Sequence, residues 1–194
     1  MNKFIYFTLS FLLLMVLGAS WVIEKANSSR ELKKIKTVPN FSFINQNGQK
    51  FTNFNLKGNI SIIDFIFTNC PGPCPVMANN MKELYDDHSK VGQVQFISIT
   101  VDPNNDNIER LKQYSESYGV NDVRWQFLTS KIDSIKDLKQ NGFMLYADNL
   151  PQGHAVKFIL VDHNGIIRQY YDGTDKASIA VLRKDIKLLL KEIL

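Results

Sequence analysis

From residue 4 to residue 23 the chain carries no charged side chain, and apolar residues follow one another without the polar stripe of a surface helix. At about 1.5 Å per residue these 20 positions reach across the ~30 Å hydrocarbon layer of a bilayer. The pattern predicts one transmembrane helix over 4–23, with residues 1–3 as a cytoplasmic N-terminus. A cleaved signal peptide is the alternative, because Gly18-Ala19-Ser20 places small residues after an apolar run. Continuation through Trp21, Val22 and Ile23 favours an anchor, with Trp21 as an interfacial aromatic. No Cys follows the small residues to carry a lipid.

Beyond residue 23 the pattern changes. Residues 24–37 are charged and polar without apolar periodicity and read as a tether. A globular domain is then expected over 38–194. The segments Phe41-Ser42-Phe43-Ile44 and Lys50-Phe51-Thr52 flank Asn47-Gly48, a pair that tolerates positive φ, which predicts a β-hairpin. Residues 60–67 are apolar except for Ser61 and Asp64, the pattern of a central strand covered on both faces. Val76, Met77, Met81, Leu84 and Tyr85 recur at helical spacing up to about His88, and 94–101 reads as a second buried strand. Asn107 is placed to cap a helix with Ile108, Leu111, Tyr114 and Tyr118 on its apolar side. A strand at 125–128, a helix near 132–138, and strands at 156–161 and 166–171 joined by Asp162-His163-Asn164-Gly165 follow. Ile179, Leu182, Ile186, Leu189 and Ile193 mark a terminal helix. The sum is a mixed α/β sheet with helices on its faces.

Composition changes this picture little. A chain of 194 residues that is 44% hydrophobic and 22% charged is long and apolar enough for one core, which excludes disorder and low complexity. The net charge of +4 leaves no nucleic-acid footprint. Charge bears more on orientation. Lys25, Arg30, Lys33, Lys34 and Lys36 follow the apolar run and only Lys3 precedes it, a count that by itself would keep the domain in the cytoplasm. An N-terminal apolar segment ahead of a large domain is nevertheless a common export arrangement, and long domains translocate despite such charge, which favours an extracytoplasmic domain, with the lysines near anionic lipid.

The chemistry sits at Cys70-Pro71-Gly72-Pro73-Cys74-Pro75, where the first buried strand gives way to a helix. Three prolines and a glycine stiffen this loop, and open α/β sheets place their sites at such strand ends. Two thiols on one helical face, four residues apart, would lie within reach of a disulfide or of a shared metal, and a helix N-terminus favours the thiolate. Two inert buried cysteines are the plain alternative. Two thiolates alone under-coordinate a metal. His154, in a loop before the strand at 156–161, is a candidate third ligand, although a single loop histidine is more often solvated. Two sulfurs and an imidazole suit Cu(I), and also hold Cu(II), better than Mg²⁺ or Ca²⁺. His88 and His163 are weaker candidates, and Met77 and Met81 have the spacing of a core stripe.

These segments resemble the Sco/SenC family of membrane-anchored, thioredoxin-like proteins implicated in copper delivery to cytochrome c oxidase. The matching residues are Asp64-Phe65-Ile66-Phe67-Thr68-Asn69-Cys70-Pro71 with Cys74-Pro75, Thr100-Val101-Asp102-Pro103 with Asp106, Trp125-Gln126-Phe127-Leu128-Thr129, and His154 with Phe158-Ile159-Leu160-Val161-Asp162 and Gly165. The resemblance implies a thioredoxin-like α/β fold with an N-terminal β-hairpin extension behind a single transmembrane helix. It also implies copper ligation by Cys70, Cys74 and His154, and an extracytoplasmic domain, on the periplasmic side of the inner membrane in a bacterium. The implied partners are the membrane, the oxidase subunit that carries the dinuclear copper site, and other thiol-disulfide proteins or copper chaperones. Gly72-Pro73 departs from the polar residue usual in the family between the cysteines. Asp102 reads locally as a turn carboxylate that caps backbone amides.

Two functions compete. A metallochaperone needs all three ligands, whereas a thiol:disulfide oxidoreductase acting on exported proteins or on the oxidase's own cysteines needs Cys70 and Cys74 as its redox pair and not His154. A thiol peroxidase is disfavoured, because Thr68 stands two residues before Cys70 and not three.

Overall fold

Seven consecutive buried residues, Ile60–Ile66, make the strand around which the larger part of the chain is arranged. The structure, a computed structural model, describes residues 2–28, 31–153 and 155–193. They fall into two compact units, Met1–Leu32 and Lys33–Leu194. The first is a single helix, α1 (Asn2–Ser28). Within it Ile5–Val22 has a mean hydropathy of 2.0 and exposed apolar side chains, so its length and composition fit a membrane anchor, a test that signal sequences also pass.

The second unit is one eight-stranded sheet. In chain order its strands are β1 (Lys36–Thr37), β2 (Ser42–Asn45), β3 (Lys50–Thr52), β4 (Ile60–Ile66), β5 (Val94–Thr100), β6 (Trp125–Thr129), β7 (Lys157–Val161) and β8 (Ile166–Asp172). They lie side by side as β1-β8-β7-β4-β5-β6-β2-β3. β4, β5 and β6 run parallel, and β7 pairs antiparallel with β4. The carboxyl ends of three strands and the start of a fourth therefore share one end of the sheet. The helices are α2 (Cys74–Asp87), α3 (Ile108–Ser117), α4 (Ile132–Asp137), which runs into a π-helical turn at Leu138–Gly142, and α5 (Lys176–Leu190).

Local sequence explains most of these boundaries. The β2–β3 hairpin turns through Asn47-Gly48 with Gly48 at φ +74°, as the pair predicts. The Asn107 side chain accepts the Arg110 amide at the start of α3, and the Asp175 side chain accepts those of Ala177 and Ser178 at the start of α5. Three features differ from the pattern. β1 lies inside the polar stretch 24–37, where two exposed residues carry no periodicity to reveal them. Ile108 is exposed in the first turn of α3, while Ser115 is buried, its hydroxyl satisfied by the Lys112 carbonyl at 2.7 Å. The terminal helix stops at Leu190, short of Ile193.

Alternation along the strands sorts the core into two layers. One face carries Ile62 and Asp64 of β4, Phe96 and Ser98 of β5, and Trp125 and Phe127 of β6, which the register places side by side. Tyr85 of α2 packs against Phe96 and Trp125, and Tyr114 of α3 against Phe127, at centroid distances of 5.7–5.9 Å. Each such pair adds ~0.5–1.5 kcal/mol beyond its buried area. The other face presents Phe65, whose ring meets Phe143 edge-to-face at 5.7 Å.

At the sheet end remote from the carboxyl end of β4, Arg168 donates to Asp162 at 2.9 Å, both side chains being almost fully buried. Asp162 also accepts the Asn164 and Ile166 amides and so shapes the β7–β8 turn. Arg168→Met leaves that carboxylate buried without its cation and is expected to cost ~3–5 kcal/mol, read as a lowered urea midpoint.

Candidate metal centre

Where β4 ends, the chain is held by a buried carboxylate. Asp106, in the loop between β5 and α3, is 1% exposed. Its two oxygens accept the Thr68 amide at 3.0 Å, the Thr68 hydroxyl at 2.6 Å and the Thr100 hydroxyl at 2.6 Å. Three donors satisfy a charge that burial alone would penalise. From α3, Arg110 donates to the Thr68 hydroxyl at 3.1 Å and to the Asn69 side-chain carbonyl at 3.0 Å. The two residues before Cys70 are thus tied to α3 and to the β5–α3 loop. The Asp102 carboxylate accepts the Asn105 side-chain amide, and it is the Asp102 carbonyl that accepts the backbone amides of Asn105 and Asp106. Capping by the Asp102 side chain is therefore corrected: Asp106 does this work, at the end of β4.

The cysteines do not share a helical face. α2 begins at Cys74, with Pro73 as its N-cap, so Cys70 stands outside the helix. Proline disfavours helical backbone in the residue before it, which keeps Cys70 and Gly72 out of the helix. The bend Cys70–Pro73 brings the sulfurs together instead. The Cys70 amide donates to the Phe67 carbonyl at 3.2 Å, and the Gly72 amide points at the Cys70 sulfur at 3.4 Å. The Cys74 thiol is hydrogen-bonded by the Phe67 backbone and by the Cys70 side chain. No disulfide joins them, and Cys70 is partly exposed while Cys74 is buried.

Burial overturns the expectation of a thiolate at the helix start. It pushes the Cys74 thiol well above the ordinary range, and the hydrogen bond and charge of Cys70 and the charge of Asp64 act in the same direction. The Phe67 backbone opposes them, with more effect than either Cys70 contribution or Asp64 but less than burial. Asp64 lies in the β4 layer shared with Ser98, fully buried, and neither carboxyl oxygen has a hydrogen-bond partner among the described residues. Burial raises its pKa to about 7, outweighing the opposing influence of Ser98. A buried acid and a buried thiol therefore face each other electrostatically. Sequence reasoning missed Asp64, Asp106 and Arg110 as parts of the site. The signals it offered were an acid in an otherwise apolar strand, Asp64, and the place of Asp106 among the residues that carry the family resemblance.

His154, the expected third ligand, lies outside the described residues, among which no group of three His, Cys, Asp or Glu side chains is placed to hold a metal. The approach to it is tightly bent. Gly153 donates to the Asn149 carbonyl at 2.8 Å, and a Cβ there would stand 2.6 Å from the Asp148 carbonyl oxygen. His88 closes the far end of α2 with its Nδ1 2.8 Å from the Leu84 carbonyl oxygen. His163 sits in the β7–β8 turn, where its carbonyl accepts the Gly58 amide ahead of β4. Neither is at the thiol end of the sheet. Met77 and Met81 are fully buried, as a core stripe should be.

The family model described as SCO1/SenC matches residues 29–191. A SCO1/SenC family lipoprotein from Bacillus anthracis is 31% identical, with a TM-score of 0.76 over 83% of this chain and 98% of that one. BsSco, a member of the Sco family of cytochrome c oxidase assembly proteins in which a disulfide switch was identified, is 29% identical, with a TM-score of 0.71 over 81% and 96%. Yeast Sco1, solved with copper bound, is 26% identical, with a TM-score of 0.63 over 79% and 90%. The fold is the thioredoxin-like one that these proteins share.

Asp64 gives the site a signature in stability. The folded chain holds its proton up to about pH 7, whereas the unfolded chain releases it near 3.8, as an ordinary solvated aspartate does. The fold is therefore weakened as pH rises through that window and stays weakened above it. Asp64→Asn should match wild type at pH 4 and exceed it above pH 7 by on the order of 4 kcal/mol, from ~1.4 kcal/mol per unit. Urea midpoints at both pH values check this; equal midpoints at pH 8 would contradict it.

Proposed function

The chain belongs to the SCO1/SenC family, and from that membership we propose that it is a copper-binding assembly factor which carries one copper ion on Cys70, Cys74 and His154 and passes it to the dinuclear copper site of a cytochrome c oxidase. The observation that carries the reading is the contact of two thiols at the carboxyl end of β4, in a chain whose relatives include a copper-bound structure. Two sulfurs and an imidazole form a soft set suited to copper, complete without further residues. The ion is cargo, so the site must both take it and release it. Cys70 is partly exposed and offers the sulfur that incoming copper or a client's ligand meets first. Cys74 must lose its proton on loading, after which the Phe67 backbone remains to stabilise the thiolate.

A second reading, a thiol:disulfide oxidoreductase, is favoured by the same exposure difference. The Cys70 thiolate would attack a client disulfide and form a mixed disulfide. The Cys74 sulfur would then displace the client, which leaves with two reduced sulfurs while the Cys70–Cys74 pair is oxidised. This exchange does not use His154. In either reading the helix over 4–23 anchors the chain, and the folded unit lies outside the cytoplasm, against the lysine count.

Copper titration of the full-length chain in detergent tests the reading. Wild type is expected to bind one ion, with affinity rising with pH because at least the Cys74 proton is released. Cys70→Ser should bind far more weakly, and equal affinity would remove the site. His154→Ala should lose copper affinity and oxidase loading in cells yet retain thiol exchange; normal loading would transfer the assignment to the oxidoreductase.

Protease added to intact spheroplasts is expected to digest the folded unit. Protection of that unit while a known exported protein is cut would reverse the orientation.

A further inference from the structure

Lys139 is the one lysine among the described residues that is wholly buried, and the chemistry derived so far gives it no role. It lies in the π-helical turn Leu138–Gly142. Its Nζ donates to the Tyr146 carbonyl and stands 5.6 Å from the centroid of the Phe65 ring. Its own carbonyl accepts the Leu145 amide at 3.0 Å. One residue thus grips the start of the segment 143–153 from both its ends. The same stretch is fixed at two further points: the Phe143 ring rests edge-to-face on Phe65, and the Phe143 carbonyl accepts the Tyr170 hydroxyl at 3.1 Å. Phe65 belongs to β4 and precedes Cys70 by five residues; the ties hold Phe143, Leu145 and Tyr146, and the segment they begin continues to Gly153, which precedes His154 in the sequence.

A buried ammonium is an expensive way to fill this space. No ion pair with a carboxylate is formed by Lys139 among the described residues, and burial lowers its pKa to about 8. An apolar side chain of similar volume would serve stability as well or better. What the cation adds is direction, because it fixes one carbonyl of the segment over one ring of the strand. We propose that Lys139 is a positioning residue for the copper site, holding the loop that delivers His154 in register with the strand that presents Cys70 and Cys74. The inference rests on His154 being the third ligand.

The test is a double-mutant cycle on the full-length chain in detergent, loaded with Cu(II), reading copper affinity by competition and nitrogen coupling to copper by electron paramagnetic resonance. Lys139→Met keeps the volume and removes the donor. It is expected to lower affinity about 10- to 100-fold and weaken the nitrogen coupling, with the thermal midpoint of the metal-free chain unchanged or raised. His154→Ala should abolish the coupling, and adding Lys139→Met to it should cost nothing more. Lys139→Gln, which keeps an N–H to offer the Tyr146 carbonyl, should recover most of the affinity. If Lys139→Met does not fold, Tyr170→Phe releases the same segment at its other tie and should give a smaller loss that is likewise absent in the His154→Ala background. Wild-type affinity and coupling in Lys139→Met, or losses that multiply with those of His154→Ala, would overturn the proposal. His154→Ala indistinguishable from wild type would instead remove the ligand assignment, and the inference with it.

Discussion

All seven residues of β4 are buried, so along that length every backbone amide and carbonyl must find a partner within the sheet. β5 pairs along all seven residues, and β7 lies against Ser61, Ile62 and Ile63. The arrangement can end only where covering structure ends, and there the chain needs another way to satisfy its polar groups. Asp106 provides it by accepting the first amide beyond the strand's end that the sheet leaves to a side chain, that of Thr68, together with two hydroxyls. The cysteine loop begins two residues later. The position of the sulfurs is therefore a consequence of how a fully covered strand is terminated, and the prolines set the bend that follows.

The electrostatics of the same strand work against charge at the site. Asp64 is buried with no hydrogen-bond donor among the described residues, and it helps to keep the Cys74 proton in place. An unloaded site built in this way is neutral at Cys74 and resists giving up its proton to solvent. A ligand that replaces the proton with a stronger interaction gains the sulfur, while a weak one does not. Such a site discriminates by how strongly an incoming group binds sulfur.

Much of the architecture was legible because it rests on periodicity and on local caps. The apolar run of β4, the Asn47-Gly48 turn, and Asn107 as a helix cap all act over a few residues, and sequence records such effects directly. The cysteine pair was legible as a location, and its acidity was not. The helix start was visible, whereas the depth at which Cys74 lies depends on what other elements bring to it, Asp64 of β4 and Tyr114 of α3 among them. Asp64 and Asp106 were visible as residues but not in their roles, and Lys139 not at all, because each acquires its role from partners that the fold brings to it. The π-helical turn that carries Lys139 left no trace in the apolar pattern, because its five residues continue the preceding helix without a break.

The two outermost strands of the sheet are also its shortest, β1 with two residues and β3 with three. A free strand edge is a template on which another chain can pair, and its hazard grows with its length and flatness. Here the long parallel strands lie inside, and both edges carry a lysine, Lys36 and Lys50. At β1 and β3 themselves, copies of this chain crowded together would find little backbone on which to stack, a safeguard set by the order in which the strands are laid down.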